Sequence, residues 1–128
     1  MTDRRLARRI LVVEDDPIAQ KVMVDYLSAH GFRVSLAKTG PEGIEKALII
    51  KPDLVLCDVA LPQKNGFEVC FEIKHAPETR DVPVILMSAV CKDGHSRKHA
   101  AELKAQGYFE KPFVLAEMLA RIQELLGP

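Results

Sequence analysis

Polar and apolar positions along this chain alternate between two patterns. Three continuous apolar runs, Ile10–Val13, Leu54–Cys57 and Val84–Met87, are each bounded by polar or turn residues. Strands covered on both faces by helices have this composition. Pro83 suits a strand's first position, where its missing N–H costs least. Between the runs lie stretches with helical spacing and recognisable ends. Asp16–Pro17 has the form of an N-cap followed by a first-turn proline, and Gly31 stands where a helix C-terminus is expected. Ile18, Val22, Tyr26 and Leu27 form the apolar stripe of this first helix.

The same reasoning predicts four more helices. The second runs from about Pro41 to Ile50 with Ile44, Ala47 and Leu48 inward. The third covers Gly66–His75 and buries Phe67, Val69 or Cys70, and Ile73. The fourth, mostly polar, covers about His95–Gln106. The last covers Val114–Leu126, with Leu115, Met118, Leu119, Ile122 and Leu126 on one side. Arg33–Ala37 and Tyr108–Glu110 are shorter and more polar, as edge strands are. Five β-α units in strict alternation imply a parallel sheet with right-handed crossovers. The expected class is α/β, a doubly wound three-layer sandwich with its site at the carboxyl ends of the strands.

Composition narrows the function. At 128 residues the chain fits one domain. Its 18 basic and 18 acidic side chains cancel, so no global field draws it to nucleic acid or anionic lipid. Arg4, Arg5, Arg8 and Arg9 form a local cluster without interleaved aromatics, which reads as a solvated tail over residues 1–9. Cys57, Cys70 and Cys91 form no CxxC pair and suit a reducing compartment. The first apolar run is too short for a signal or membrane segment, so the location expected is cytoplasmic. The chain ends just past the last expected helix, so no output domain is expected within it. It reads as a stand-alone regulator or as part of a longer protein.

The chemistry gathers at strand ends. Glu14, Asp15 and Asp16 end the first strand, Asp58 the third, Ser88 the fourth and Lys111–Pro112 the fifth. If the central strands are neighbours, Glu14, Asp15 and Asp58 share one mouth. Carboxylates so placed raise one another's pKa unless a cation neutralises them. Oxygen donors without His or Cys favour Mg²⁺. Asp16 reads as a helix cap. Lys111 can hold a phosphoryl oxygen as a point charge, and Ser88 can hydrogen-bond an added phosphate. Cys91, His95 and His99 would align on a helix in a loosely zinc-like way, but only three ligands appear and they read as a solvated helix face.

Four motifs carry a family resemblance: Ile10-Leu-Val-Val-Glu-Asp-Asp16; Pro52-Asp-Leu-Val-Leu-Cys-Asp58 with Leu61-Pro62 and Gly66; Val82-Pro-Val-Ile-Leu-Met-Ser-Ala89; and Lys111-Pro-Phe113. From about Ile10 to Leu126 the chain resembles the receiver domain of two-component response regulators. The resemblance implies a flavodoxin-like sheet in the order 2-1-3-4-5, flanked by five helices. It implies Asp58 as phosphoacceptor from a sensor histidine kinase or histidine phosphotransfer protein. It further implies Mg²⁺ (Mn²⁺ could substitute) held by Asp15, Asp58 and the Ala60 carbonyl, with Glu14 acting through a water. Lys111 would pair with Asp58 before a cis proline, and Ser88 with Tyr108 would form a switch reaching an effector protein or fused output domain. The protein would be a monomer or a phosphorylation-dependent homodimer. It would accept phosphate without enzymatic turnover and without direct contact to nucleic acid or membrane.

Two departures qualify the resemblance. Lys104-Ala-Gln-Gly107 replaces the family's usual Gly-Ala-Asp-Asp, and Ala60 and Val90 offer no amide or acid to orient an attacking water. A hydrolase of the haloacid-dehalogenase class would want a second aspartate where Ala60 stands. A degenerate receiver acting as a phosphorylation-independent interaction module is the alternative.

Overall fold

A computed structural model describes residues 8–89 and 95–127. Arg4, Arg5, Val90 and Cys91 lie outside the described residues. Among the described residues ten elements alternate strictly: β1 (Arg9–Val13), α1 (Pro17–Ala29), β2 (Arg33–Ala37), α2 (Gly40–Ile50), β3 (Leu54–Asp58), α3 (Gly66–His75), β4 (Val84–Ala89), α4 (His95–Glu102), β5 (Gly107–Lys111) and α5 (Leu115–Leu126). The five strands are all parallel and lie in the order β2-β1-β3-β4-β5. This is the order the resemblance implies, with the two more polar strands at the edges.

The period-two geometry of a strand divides the core between the sheet's faces. Leu11, Val13, Val55, Cys57, Val84 and Leu86 face one way, against Ala47 of α2, Val69, Cys70 and Ile73 of α3, and Ala100 of α4. Ile10, Val12, Leu54, Leu56, Ile85 and Met87 face the other, against Met23 and Leu27 of α1 and Met118 and Ile122 of α5. Three layers result.

Caps position the helices. Asp16 accepts from the Ala19 N–H at 3.0 Å, the role its place before Pro17 predicts. Asn65 and Glu68 form a reciprocal capping box at the start of α3. On the outer side of the sheet, Lys46 of α2 donates to the Leu36 carbonyl and pairs with Glu42 at 3.3 Å.

Helix phase departs from the sequence reading in two places. Ile18 and Val22 are exposed, at 76% and 47%, and the inward face of α1 is Gln20, Met23 and Leu27. The helix is turned so that Gln20 meets the end of β1. In α2, Ala47 is buried as expected but Leu48 is exposed, because Gly43 and Ala47 take the sheet-facing line. α3 buries both Val69 and Cys70 rather than one of them.

α4 also stops at Glu102, short of Gln106. The chain leaves the helix through Lys104 at φ 64°. Gln106 is needed elsewhere: its N–H donates to the Val84 carbonyl and its side-chain oxygen accepts from the Val84 N–H, each at 2.8 Å. Arg121 of α5 then donates through Nε and Nη2 to the Gln106 carbonyl. The unusual Lys104–Gly107 segment is thus bracketed between β4 and α5. Among the described residues no helix is long and apolar enough to cross a membrane.

Candidate functional site

Strand register assembles the site. Val13 lies opposite Cys57, so the next residues, Glu14 and Asp58, emerge side by side from adjacent parallel strands. Lys111 of β5 shares their side of the sheet by parity, since Phe109 two residues earlier packs into the same core as Ile10 and Leu56. Its ammonium lies 2.9 Å from Asp58 Oδ1 and 3.2 Å from Glu14 Oε1. Glu14 and Asp58 are almost wholly buried and Asp15 is exposed at the rim. Oxygens of all three lie within 4.8 Å of one another.

Electrostatics follow from burial. Desolvation pushes the Glu14 carboxyl above its ordinary value, and the neighbouring Asp58 pushes it the same way. The Asp16 N–H, donating to Oε2 at 3.1 Å, and the Lys111 ammonium partly offset this. For Lys111, burial alone would favour the neutral amine, but ion pairing with Asp58 and Glu14 outweighs it and its pKa is raised. Three carboxyl groups and one ammonium thus share this mouth, the ammonium paired with Glu14 and Asp58. Such a set of hard oxygen donors suits a divalent cation.

Ser88 and Tyr108 fall on the opposite face by the same parity. Ser88 is buried and its hydroxyl donates to the Ala89 carbonyl at 3.1 Å. The Tyr108 ring packs against the core that holds Val84 and Leu86, with its hydroxyl buried and unpartnered among the described residues. Arg97 of α4 covers that ring, its guanidinium carbon 4.9 Å from the centroid, and bonds Glu110 at 3.2 Å. Lys111–Pro112 is cis, as the resemblance implies.

Gln20 was not singled out from the sequence, and Gly66 stood there only as a helix start and as part of a motif. Gln20 Nε2 donates to the Glu14 carbonyl oxygen at 2.6 Å. A glutamine spaced with Met23 and Leu27 on the inward face of a helix was the available signal. Gly66 abuts the backbone of Asp58: a Cβ there would lie 2.4 Å from the Asp58 carbonyl oxygen. Of the zinc-like trio, Cys91 is outside the described residues, and His99 packs edge-on to Phe67 and faces Glu102 at 3.7 Å.

Glu14 and Lys111 open onto a cleft of about 450 Å³ lined also by Asp16, Ala19, Val22, Met87 and Phe113. A larger cleft of about 660 Å³ lies between α3 and α4, lined by Phe67, Phe71, His99 and Leu103. None of the strand-end residues reaches it.

Comparison with known proteins agrees with this geometry. The family model described as the response regulator receiver domain matches residues 10–123. The response regulator MprA of Mycobacterium leprae is 36% identical over 119 residues, covering 92% of this chain and 50% of that protein. The DNA-binding dual master transcriptional regulator RpaA of Synechocystis is 34% identical over 118 residues, covering 92% and 48%. The chain thus spans about half the length of these relatives. Among solved structures, the receiver domain of a sensor histidine kinase from Pseudomonas aeruginosa superposes with a TM-score of 0.86 at 31% identity, covering 95% of this chain and 99% of that one. That protein has a magnesium ion coordinated in its active-site cleft. The receiver domain of a histidine kinase from Syntrophus aciditrophicus gives 0.87 at 28% identity, covering 94% and 90%. By fold, strand-end chemistry and sequence, the chain belongs to the receiver-domain family of two-component response regulators.

Proposed function

We propose that this receiver accepts a phosphoryl group on Asp58 from a phosphohistidine donor. The observation that carries the reading is the Lys111 ammonium held between Asp58 Oδ1 and Glu14 Oε1, at 2.9 and 3.2 Å. In the reaction an Asp58 carboxylate oxygen attacks phosphorus. The new O–P bond forms as the donor's N–P bond breaks, and the histidine leaves with its nitrogen lone pair. Such transfer needs mainly in-line placement and neutralisation of oxygen charge. Lys111 is placed to pair with the Asp58 carboxylate beforehand and with the phosphoryl oxygens afterwards.

The donor set fits Mg²⁺, with Mn²⁺ a workable substitute. Asp15, Asp58 and the Ala60 carbonyl would hold it, with Glu14 acting through a water. When bound it would supply charge neutralisation at the phosphoryl oxygens.

Ser88 and Tyr108 are the proposed switch. A phosphate on Asp58 is a strong acceptor for the Ser88 hydroxyl. Movement of Ser88 alters the packing beside Tyr108, and with it the face formed by α4, β5 and α5. Each tenfold shift in population needs about 1.4 kcal/mol, within reach of one or two charge-assisted hydrogen bonds. That face would act on an effector protein or on a fused output domain. Ile18, Val22 and Val114 are exposed apolar residues, and Val22 lines the cleft that holds Glu14 and Lys111. They suit a sensor histidine kinase or histidine phosphotransfer protein presenting its histidine. Residues 10–126 form the receiver, residues 1–9 a basic extension, and the protein turns over no substrate.

Incubation with acetyl phosphate and magnesium, read by intact mass, tests this. The wild type should gain one phosphoryl group, while Asp58→Asn or added chelator should prevent it. An unmodified wild type, or equal labelling of Asp58→Asn, would refute the assignment.

A further inference from the structure

The inward face of α1 carries one polar side chain, Gln20, in line with Met23 and Leu27. It retains 9% of its exposure. A buried amide is unfavourable unless it is hydrogen-bonded, and Nε2 donates to the Glu14 carbonyl oxygen at 2.6 Å. That carbonyl belongs to the rigid peptide plane joining Glu14 to Asp15. Its direction therefore governs the dihedral angles on either side, and so where the Asp15 side chain leaves the backbone.

The surrounding bonds make this plane the remaining degree of freedom. The Glu14 N–H is fixed to the Ala37 carbonyl of β2 at 2.9 Å, the last bond at that end of β1. The Asp16 N–H is fixed to Glu14 Oε2 at 3.1 Å. Gln20 is itself placed by its own N–H, which donates to the Asp16 carbonyl at 2.9 Å within the first turn of α1. The amide of Gln20 closes this ring of bonds around Asp15.

We propose that Gln20 is a positioning residue for the acidic site. By fixing the Glu14–Asp15 peptide plane it holds the Asp15 carboxylate beside Glu14 and Asp58, and so sets the affinity of the site for a divalent cation. This rests on the reading that these acids bind such an ion. Groups that orient metal ligands typically change affinity by about 10- to 100-fold when removed. Gln20→Met keeps the volume and deletes the donor.

The test is a Mn²⁺ titration followed by the electron paramagnetic resonance of the free ion, beside urea unfolding in chelator. Leu27→Ala serves as a packing lesion on the same face of α1. Gln20→Met is expected to bind Mn²⁺ about tenfold more weakly than the wild type, while Leu27→Ala, though less stable, binds as the wild type does. Gln20→Leu repeats the comparison should the thioether prevent folding. Equal affinity of Gln20→Met and wild type overturns this proposal alone. Affinity lost by both variants in step with their stability also overturns it, since the role would be structural. A wild type that takes up no Mn²⁺ overturns it together with the metal-site reading beneath it.

Discussion

Replacing Gly66 by alanine isolates a close approach on which Asp58, the proposed phosphoacceptor, depends. An added Cβ would stand 2.4 Å from the Asp58 carbonyl oxygen, 2.8 Å from Val59 Cα and 2.9 Å from the Asp58 carbonyl carbon. Ordinary contact between such atoms needs about 3.5–4.0 Å, so the junction must open by roughly an ångström. All three atoms are backbone, and Gly66 is tethered there by its N–H to the Val59 carbonyl at 2.9 Å. No side chain can turn aside. Overpacking of this kind costs about 1–3 kcal/mol, and the upper part of that range applies. Helix propensity works the other way, favouring alanine over glycine by up to about 1 kcal/mol. The net expectation is a loss of about 2 kcal/mol, read as a urea midpoint lowered by about 1 M at unchanged slope. Labelling of Asp58 by acetyl phosphate should slow as well, because the displaced atoms are its own main chain. Gly107→Ala is the control. Its nearest neighbour is a side-chain atom rather than backbone, Ile85 Cγ1 at 3.1 Å, and it should cost less. A Gly66→Ala protein as stable as the wild type would refute the argument, and one more stable would show that propensity alone decides.

Three further outcomes are expected. Burial raises the Glu14 pKa above 4.5; between that value and the folded one, the native chain binds more protons than the unfolded chain. Stability from this group therefore rises as pH falls through that window and declines as pH climbs out of it. In chelator, the wild type should gain on Glu14→Gln as pH is lowered toward 4.5; urea midpoints showing a constant or reversed difference would contradict this. A double-mutant cycle on Arg97→Ala and Tyr108→Leu should return a coupling of about 0.5–1 kcal/mol from the stacked guanidinium, and additive effects would exclude it. Ala60 has no group to orient water toward the acyl phosphate, so Ala60→Asn should release inorganic phosphate faster than the wild type, and equal lifetimes would count against that account.

Much of this architecture was legible in the residues. Continuous apolar runs marked β1, β3 and β4 because both of their faces are covered. Asp16–Pro17 marked the start of α1 because cap and first-turn proline act locally. The candidate site was legible for a related reason: Glu14, Asp58, Ser88 and Lys111 each lie at or within one residue of a strand's carboxyl end, and parallel strands bring those ends to one edge. What escaped reading depends on tertiary contact. Ile18 and Val22 were assigned inward from spacing, yet the rotation of α1 is decided by Gln20 reaching the end of β1. Leu48 lost its expected place to Gly43 and Ala47, which let α2 approach the sheet. Gln106 was placed at the end of a mostly polar helix, whereas its amide completes a bond with Val84, 22 residues earlier. Gly66 read as the start of a helix and as part of the Asp58 motif, and its packing against Asp58 appears only once strand and helix are placed together.

The Lys46 contact has a consequence for how the molecule behaves among its own copies. In β2 the backbone groups of Arg33 and Ala37 bond toward β1, so by alternation the Leu36 carbonyl points away from the sheet. Left bare, an outward carbonyl on a terminal strand invites an incoming chain to extend the ladder. The ammonium of Lys46 occupies that acceptor. An adding strand would have to displace a cation already paired with Glu42, which discourages edge-to-edge aggregation on the flank away from β5.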